Sequence, residues 1–189
     1  MDIKYYHVSN VAGLSVIEPR KSTHKKLWVY AVMDKTVGLC FGVKKDDFDF
    51  IVGTSSEGVL EMWECYPNAF EACYAGRSCS VYQLADSGFK EGQTTWPAEY
   101  VSEQPTKVVA EDVVSDLKLE LEAAMARGEF ILHKYSSDLE YKAKISAHIV
   151  DRLIRFDYLN REEMPESILI HYKDIVDKLK EVCSGKYLK

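Results

Sequence analysis

The sequence predicts an α+β fold, a strand-rich body followed by a helical C-terminal part. Three observations predict it. Short runs of alternating or ring-rich apolar residues crowd the first 110 positions. Helical spacing of apolar residues takes over after Ala110. No internal repeat, low-complexity tract or long apolar run interrupts either part. The two predicted parts are 1–110, the body, and 111–189, a helical extension packed on it.

The strand candidates come first along the chain. "IKYYHVS", "KLWVYAVM", "FDFIVG", "GVLEMWEC", "SCSVYQLA", "AEYVS" and "TKVVA" are short and rich in β-branched and aromatic residues. Turn-like pieces divide them, among them Asp34-Lys35, Thr54-Ser55-Ser56 and Asp86-Ser87-Gly88. "TVGLCFG" is too short for periodicity to choose between strand and helix. The acids Asp46, Asp47 and Asp49 in "FGVKKDDFDF" read as a solvated turn.

Helices are predicted over 112–126, 137–157 and 165–182. In the first, Val113, Val114, Leu117, Leu119, Leu121, Ala124 and Met125 are the apolar positions, and Gly128 follows as a stop. In the second, Ser137 and Glu140 have the spacing of a capping box, and Ile145, Ile149, Leu153 and Phe156 form the apolar stripe. In the third, Pro165 suits a first turn and Gly185 a stop.

Composition narrows the function classes. The net charge is −6, shared evenly between 1–110 and 111–189, with no basic arm or stripe. This argues against bulk DNA or RNA binding, which needs a cationic footprint. No apolar run is long enough to span a membrane. The start, MDIKYYH, lacks the basic-then-apolar pattern of a secretory leader. Five cysteines with no zinc-site spacing suit reduced thiols, so a cytoplasmic location is expected. No dinucleotide fingerprint, phosphate-binding loop, zinc-protease motif or nucleophile elbow occurs.

The polar residues that stand out are few. His7 sits inside the first strand and Tyr30 inside the second. Each has a plain structural reading, as a hydrogen-bonded half-buried ring and as a strand aromatic. Glu99 follows Pro97 at the start of a strand, after the loop Gln93-Thr94-Thr95-Trp96. It also reads simply, as a solvated edge carboxylate. Together the three suggest more. A tyrosine can stack on nicotinamide, a histidine can hold a ribose hydroxyl, and a carboxylate can stabilise positive charge at an anomeric carbon.

On "YYHVS", "LWVYAVMD" and "QTTWPAEYVS", residues 3–110 resemble the ADP-ribosyltransferase-like superfamily, in its His-Tyr-Glu branch. The resemblance implies two small twisted antiparallel sheets meeting across a cleft, with NAD as the substrate. It implies catalytic roles for His7, Tyr30 and Glu99. It places Arg20 of "VIEPR" near the cofactor, with Ser22 and His24 lining the same cleft. An NAD-dependent transferase, or an NAD glycohydrolase, is the expected activity, toward an acceptor that is a protein or a small molecule. Relatives that modify protein side chains often carry Gln or Glu two residues before the catalytic Glu, where this chain has Pro97. That departure points to an inactive nucleotide- or protein-binding domain as the alternative. The helical tail has no counterpart in the resemblance and is a candidate for docking a partner or a second copy of the chain.

Overall fold

The computed structural model describes residues 3–21 and 26–184. In chain order its strands and helices are β1 (Tyr5–Ser9), β2 (Val16–Ile17), β3 (Arg20–Lys21), β4 (Leu27–Ala31), α1 (Lys35–Leu39), β5 (Phe50–Thr54) and β6 (Leu60–Glu64). There follow α2 (Ala69–Tyr74), β7 (Cys79–Leu84), β8 (Tyr100–Ser102), β9 (Thr106–Val114), α3 (Leu117–Ala126) and β10 (Phe130–His133). The C-terminal part holds α4 (Leu139–Arg155), a 3-10 turn at Tyr158–Asn160, α5 (Glu166–His171) and α6 (Lys173–Cys183). The α+β class is as expected, with C-terminal helices after several small sheets.

Three sheets have the orders β1-β7-β9-β2, β3-β4-β8 and β10-β6-β5. The expectation was two. The pairings β1–β7, β2–β9, β3–β4, β4–β8 and β7–β9 are all antiparallel. A single bridge, Tyr6 to Val32, ties β1 to the end of β4 through main-chain bonds of 2.8 and 2.9 Å.

By contacts the chain divides into two compact units. The first holds 1–45, 52–62 and 70–132; the second holds 46–51, 63–69 and 133–189. In the first unit Tyr5, Ile17, Val29, Ala31, Tyr82 and Leu84 form a core cluster. Asp34 caps α1 by accepting from the Thr36 and Val37 N–H groups, which settles the ambiguous "TVGLCFG" as a helix. Gly38 lets that helix lie on β1 and β4: a Cβ there would come within 2.9 Å of Val8 and 3.2 Å of Val32. In the second unit α4 buries Ile145, Ile149 and Leu153 against Phe48, Cys65, Tyr158, Ile168 and Val176.

Several boundaries differ from expectation for physical reasons. The first helix begins at Leu117, not near 112, because β9 stays paired with β7 as far as Cys79↔Val114. Asp116 then caps the helix at the Leu119 N–H. The cap of α4 is Asp138, accepting from the Tyr141 N–H, rather than Ser137. The last predicted helix is two, broken at Tyr172, whose φ of −136° is not helical. Gly128 does end α3, at φ +77°. Gly185 lies outside the described residues.

The acids read as a solvated turn are instead inside the second unit. Asp49 is buried and accepts from the Tyr66 hydroxyl (2.8 Å) and the Asp46 N–H (2.8 Å). Asp46 accepts from Ser167 (2.6 Å), and Asp47 from the Tyr158 hydroxyl (2.8 Å). Tyrosine hydroxyls also seek main-chain carbonyls. Tyr74 donates to Cys40 (3.0 Å), Tyr141 to Glu64 and His133 (3.0 Å each), and Tyr172 to Cys65. A buried carbonyl without a partner is costly, so each phenol closes a gap that the ladders leave open.

Candidate functional site

The geometry of β4 explains the histidine. In an antiparallel strand, alternate residues turn their main-chain polar groups to the same edge. On one edge of β4, Trp28 is paired with Arg20 of β3, and Val32 is bridged to Tyr6 of β1. Tyr30 lies between them. β3 begins only at Arg20, opposite Trp28, so the pairing is not continued along that edge to Tyr30. The His7 ring occupies this break, with Nδ1 2.8 Å from the Tyr30 carbonyl oxygen.

A carbonyl can only accept, so Nδ1 carries the proton and donates. Burial of the half-buried ring holds His7 below its ordinary value of 6.5; the Tyr30 carbonyl opposes this shift, and the Arg20 charge adds to it. The neutral ring therefore presents Nε2 as an acceptor, suited to a hydroxyl donor. The expected result is a neutral Nδ1–H tautomer that titrates below pH 6.5. Nitrogen-15 NMR of the histidine ring checks this, and an Nε2–H tautomer at pH 7 would contradict it.

Alternation along β4 places the Tyr30 ring on the face of Trp28. The two rings meet edge-on, centroids 6.0 Å apart at 70°. Trp28 is buried and Tyr30 half-buried. Arg20, Lys21 and Lys26 are exposed on the β3–β4 arm, with the Lys26 ammonium 5.7 Å from the Trp28 ring. This gives the arm a local positive charge that the overall −6 conceals. Ser22 and His24 lie outside the described residues.

Glu99 occupies the turn before β8, where its N–H donates to the Trp96 carbonyl at 3.1 Å. Tyr30 pairs with Val101 in β8. Glu99 precedes Val101 by two residues and stands just ahead of Tyr100, the first paired residue of β8. The loop before it leans on the turn after α1: the Trp96 and Phe41 rings are 5.6 Å apart, and the Lys45 ammonium is 4.8 Å from the Phe41 ring. Lys45 also donates to the Cys40 carbonyl. The Glu99 charge reaches the same spot. Burial pushes the Cys40 thiol up to about 11, with Lys45 opposing and Glu99 reinforcing.

A cleft of about 240 Å³ beside the β4–β8 pair is lined by Trp28, Lys90, Gln93, Val101 and Gln104, among others. Reading the sequence did not single out Trp28, which supports the Tyr30 ring and reaches this cleft. Its position two residues before Tyr30, on the same strand face, was the available signal. The Trp96 indole N–H was missed as well. It is buried with no hydrogen-bond partner among the described residues, in the loop leading to Glu99.

Thus His7 and Tyr30 meet through a ring and a carbonyl, and Arg20 lies within electrostatic reach of His7. Glu99 lies in the turn before β8, outside its paired residues. The buried thiols offer no ready nucleophile, since burial pushes Cys79 up to about 11 and Cys65 higher still. No group of three or more His, Cys, Asp or Glu is arranged to hold a metal among the described residues. No helix among them is long and apolar enough to cross a membrane. Compared with protein-family models, curated proteins and solved structures, the chain matches none.

Proposed function

We propose that the strand-rich part is an ADP-ribosyltransferase-like domain that binds NAD and breaks its nicotinamide–ribose bond. The observation that carries this reading is the His7 ring, hydrogen-bonded to the Tyr30 carbonyl with its Nε2 left as an acceptor, within electrostatic reach of Arg20. A fixed acceptor next to a cation suits a ribose hydroxyl next to a diphosphate.

In the proposed reaction the Tyr30 ring stacks on nicotinamide. His7 Nε2 accepts from a hydroxyl of the nicotinamide-side ribose, and Arg20 meets the diphosphate. Glu99 holds the ribose 2′-hydroxyl. As the C–N bond breaks, its electron pair leaves with nicotinamide, which departs neutral. Positive charge then spreads over the anomeric carbon and ring oxygen, where the carboxylate stabilises it. Water or an acceptor hydroxyl, amine or carboxylate attacks that carbon, and a nucleophile that carries a proton releases it. The transferase and the glycohydrolase differ only in this last partner.

Pro97 favours a second reading, in which the domain binds a nucleotide or a protein tail without turnover. One assay separates the two. The protein is incubated with NAD, and binding and released nicotinamide are measured separately. Release that is lost in His7→Ala supports the enzyme. Saturable binding without release supports the binding domain. Absence of both refutes the NAD reading.

A further inference from the structure

A second cleft of the first unit shares no residue with the proposed NAD site. Its volume is about 430 Å³. Asn10, just after β1, lines it, as do the turn Gly42-Val43-Lys44, the end of α2 at Cys73, and Arg77 and Ser78 before β7. We propose that this cleft binds the phosphate group of a small phosphate monoester, with Arg77 and Lys44 as the charged contacts and Ser78 and Asn10 as hydrogen-bond donors.

Charge balance is the first argument. Several cations of this unit are ion-paired: Lys35 with Asp112, Lys118 with Glu71 and Glu122, and Arg127 with Glu120 and Glu129. Lys44 and Arg77 form no ion pair among the described residues, and no carboxylate lines the cleft. Two cations that share a carboxylate-free cleft in a chain of net charge −6 create a local field that an anion relieves.

Rigidity is the second argument. The Arg77 main chain is tied at both ends, its N–H to the Tyr74 carbonyl at 3.2 Å and its carbonyl to the Leu117 N–H at 2.8 Å. Gly76 turns the chain out of α2 at φ +65°, a conformation that glycine takes without penalty. Across the cleft, Gly42 is pressed so closely on its neighbours that a Cβ would lie 2.8 Å from Leu117 and 2.9 Å from the Cys79 sulfur. Lys45 commits its ammonium to the Cys40 carbonyl, while its neighbour Lys44 lines the cleft. The two charges thus rise from anchored main chain, which lowers the ordering cost of binding.

Size and chemistry then choose the ligand. A guanidinium presents paired N–H groups that match two phosphate oxygens, and a lysine adds a point charge. A cleft of about 430 Å³ has room for more than an inorganic ion, so the phosphate is expected on an organic carrier.

The test is an amide NMR titration of the full chain with glycerol 3-phosphate, with inorganic phosphate in parallel and sodium chloride at matched ionic strength. Saturable shifts are expected at Asn10, Lys44, Gly76, Arg77 and Ser78 with glycerol 3-phosphate, and none that saturate with chloride. The double variant Lys44→Gln, Arg77→Gln should weaken binding by at least ~10-fold while leaving the melting temperature unchanged. Equal affinity in that variant would overturn the assignment. So would shifts that fail to saturate, or saturation by inorganic phosphate with no response to glycerol 3-phosphate.

Discussion

Glu99→Gln is expected to lower kcat for nicotinamide release by at least ~100-fold, about 2.7 kcal/mol of transition-state stabilisation, with little change in NAD binding. The amide keeps the shape and one acceptor oxygen but removes the charge. In the ground state the carboxylate would only hold a hydroxyl, which an amide oxygen also does. In the transition state it would face a developing cation, which an amide does not stabilise equally. The variant therefore separates binding from chemistry. His7→Ala should act differently, weakening NAD binding and leaving the Tyr30 carbonyl without its ring partner. The measurement is single-turnover nicotinamide release at saturating NAD, beside a direct binding isotherm. Full release in the Glu99→Gln protein would show that this carboxylate does not carry the reaction.

Asp49 and Asp46 of the second unit should respond to mutation in opposite ways. Asp49→Ala should cost about 3 kcal/mol of stability, because it takes a charged acceptor from both the Tyr66 hydroxyl and the Asp46 N–H. Asp46→Asn should cost nothing at pH 8. Burial, with the charges of Asp49 and Asp47 adding to it, holds Asp46 above its ordinary 3.8, while the Ser167 and Phe48 hydrogen bonds pull it back. The folded state thus holds that proton more tightly than the unfolded chain does. The stabilisation from this proton is complete below the ordinary value and is lost as pH rises through the raised one. At pH 8 the ionised side chain opposes folding, and the amide relieves it while still accepting from Phe48 and pairing with Ser167. Urea unfolding of both variants at pH 8 and pH 4 checks this. The Asp46→Asn protein should match or exceed the parent at pH 8, and its advantage should shrink at pH 4. A loss at Asp46 equal to that at Asp49 would refute the account.

These residues also show what a sequence can and cannot reveal. The strands around His7, Tyr30 and Val101 were legible because ring-rich and β-branched runs carry their own pattern. The first helix was placed too early because Val113 and Val114 fit a helical stripe as well as a strand. Their pairing with β7 is a contact across some thirty residues, which no local window contains. The Asp46–Asp49 turn was misread for the same reason: Tyr158 and Ser167, which bury it, lie over a hundred residues away. At the candidate site, His7 and Tyr30 could be singled out as residue types. The contact that joins them could not, because its acceptor is a main-chain carbonyl, and every residue has one.

The tyrosine hydroxyls of the second unit, held on main-chain carbonyls at Tyr141 and Tyr172 and on the Asp47 carboxylate at Tyr158, have a consequence in alkali. Burial pushes Tyr158 up to about 12 and Tyr141 and Tyr172 higher still, above the ordinary 10. Each phenol must keep its proton to go on donating. The support they give is whole below pH 10 and is withdrawn as the solution becomes more basic. Phenolate absorbs in the near ultraviolet where phenol does not. In strong base these rings therefore ionise with the opening of the second unit rather than before it, and that unit carries a built-in optical signal of its own unfolding.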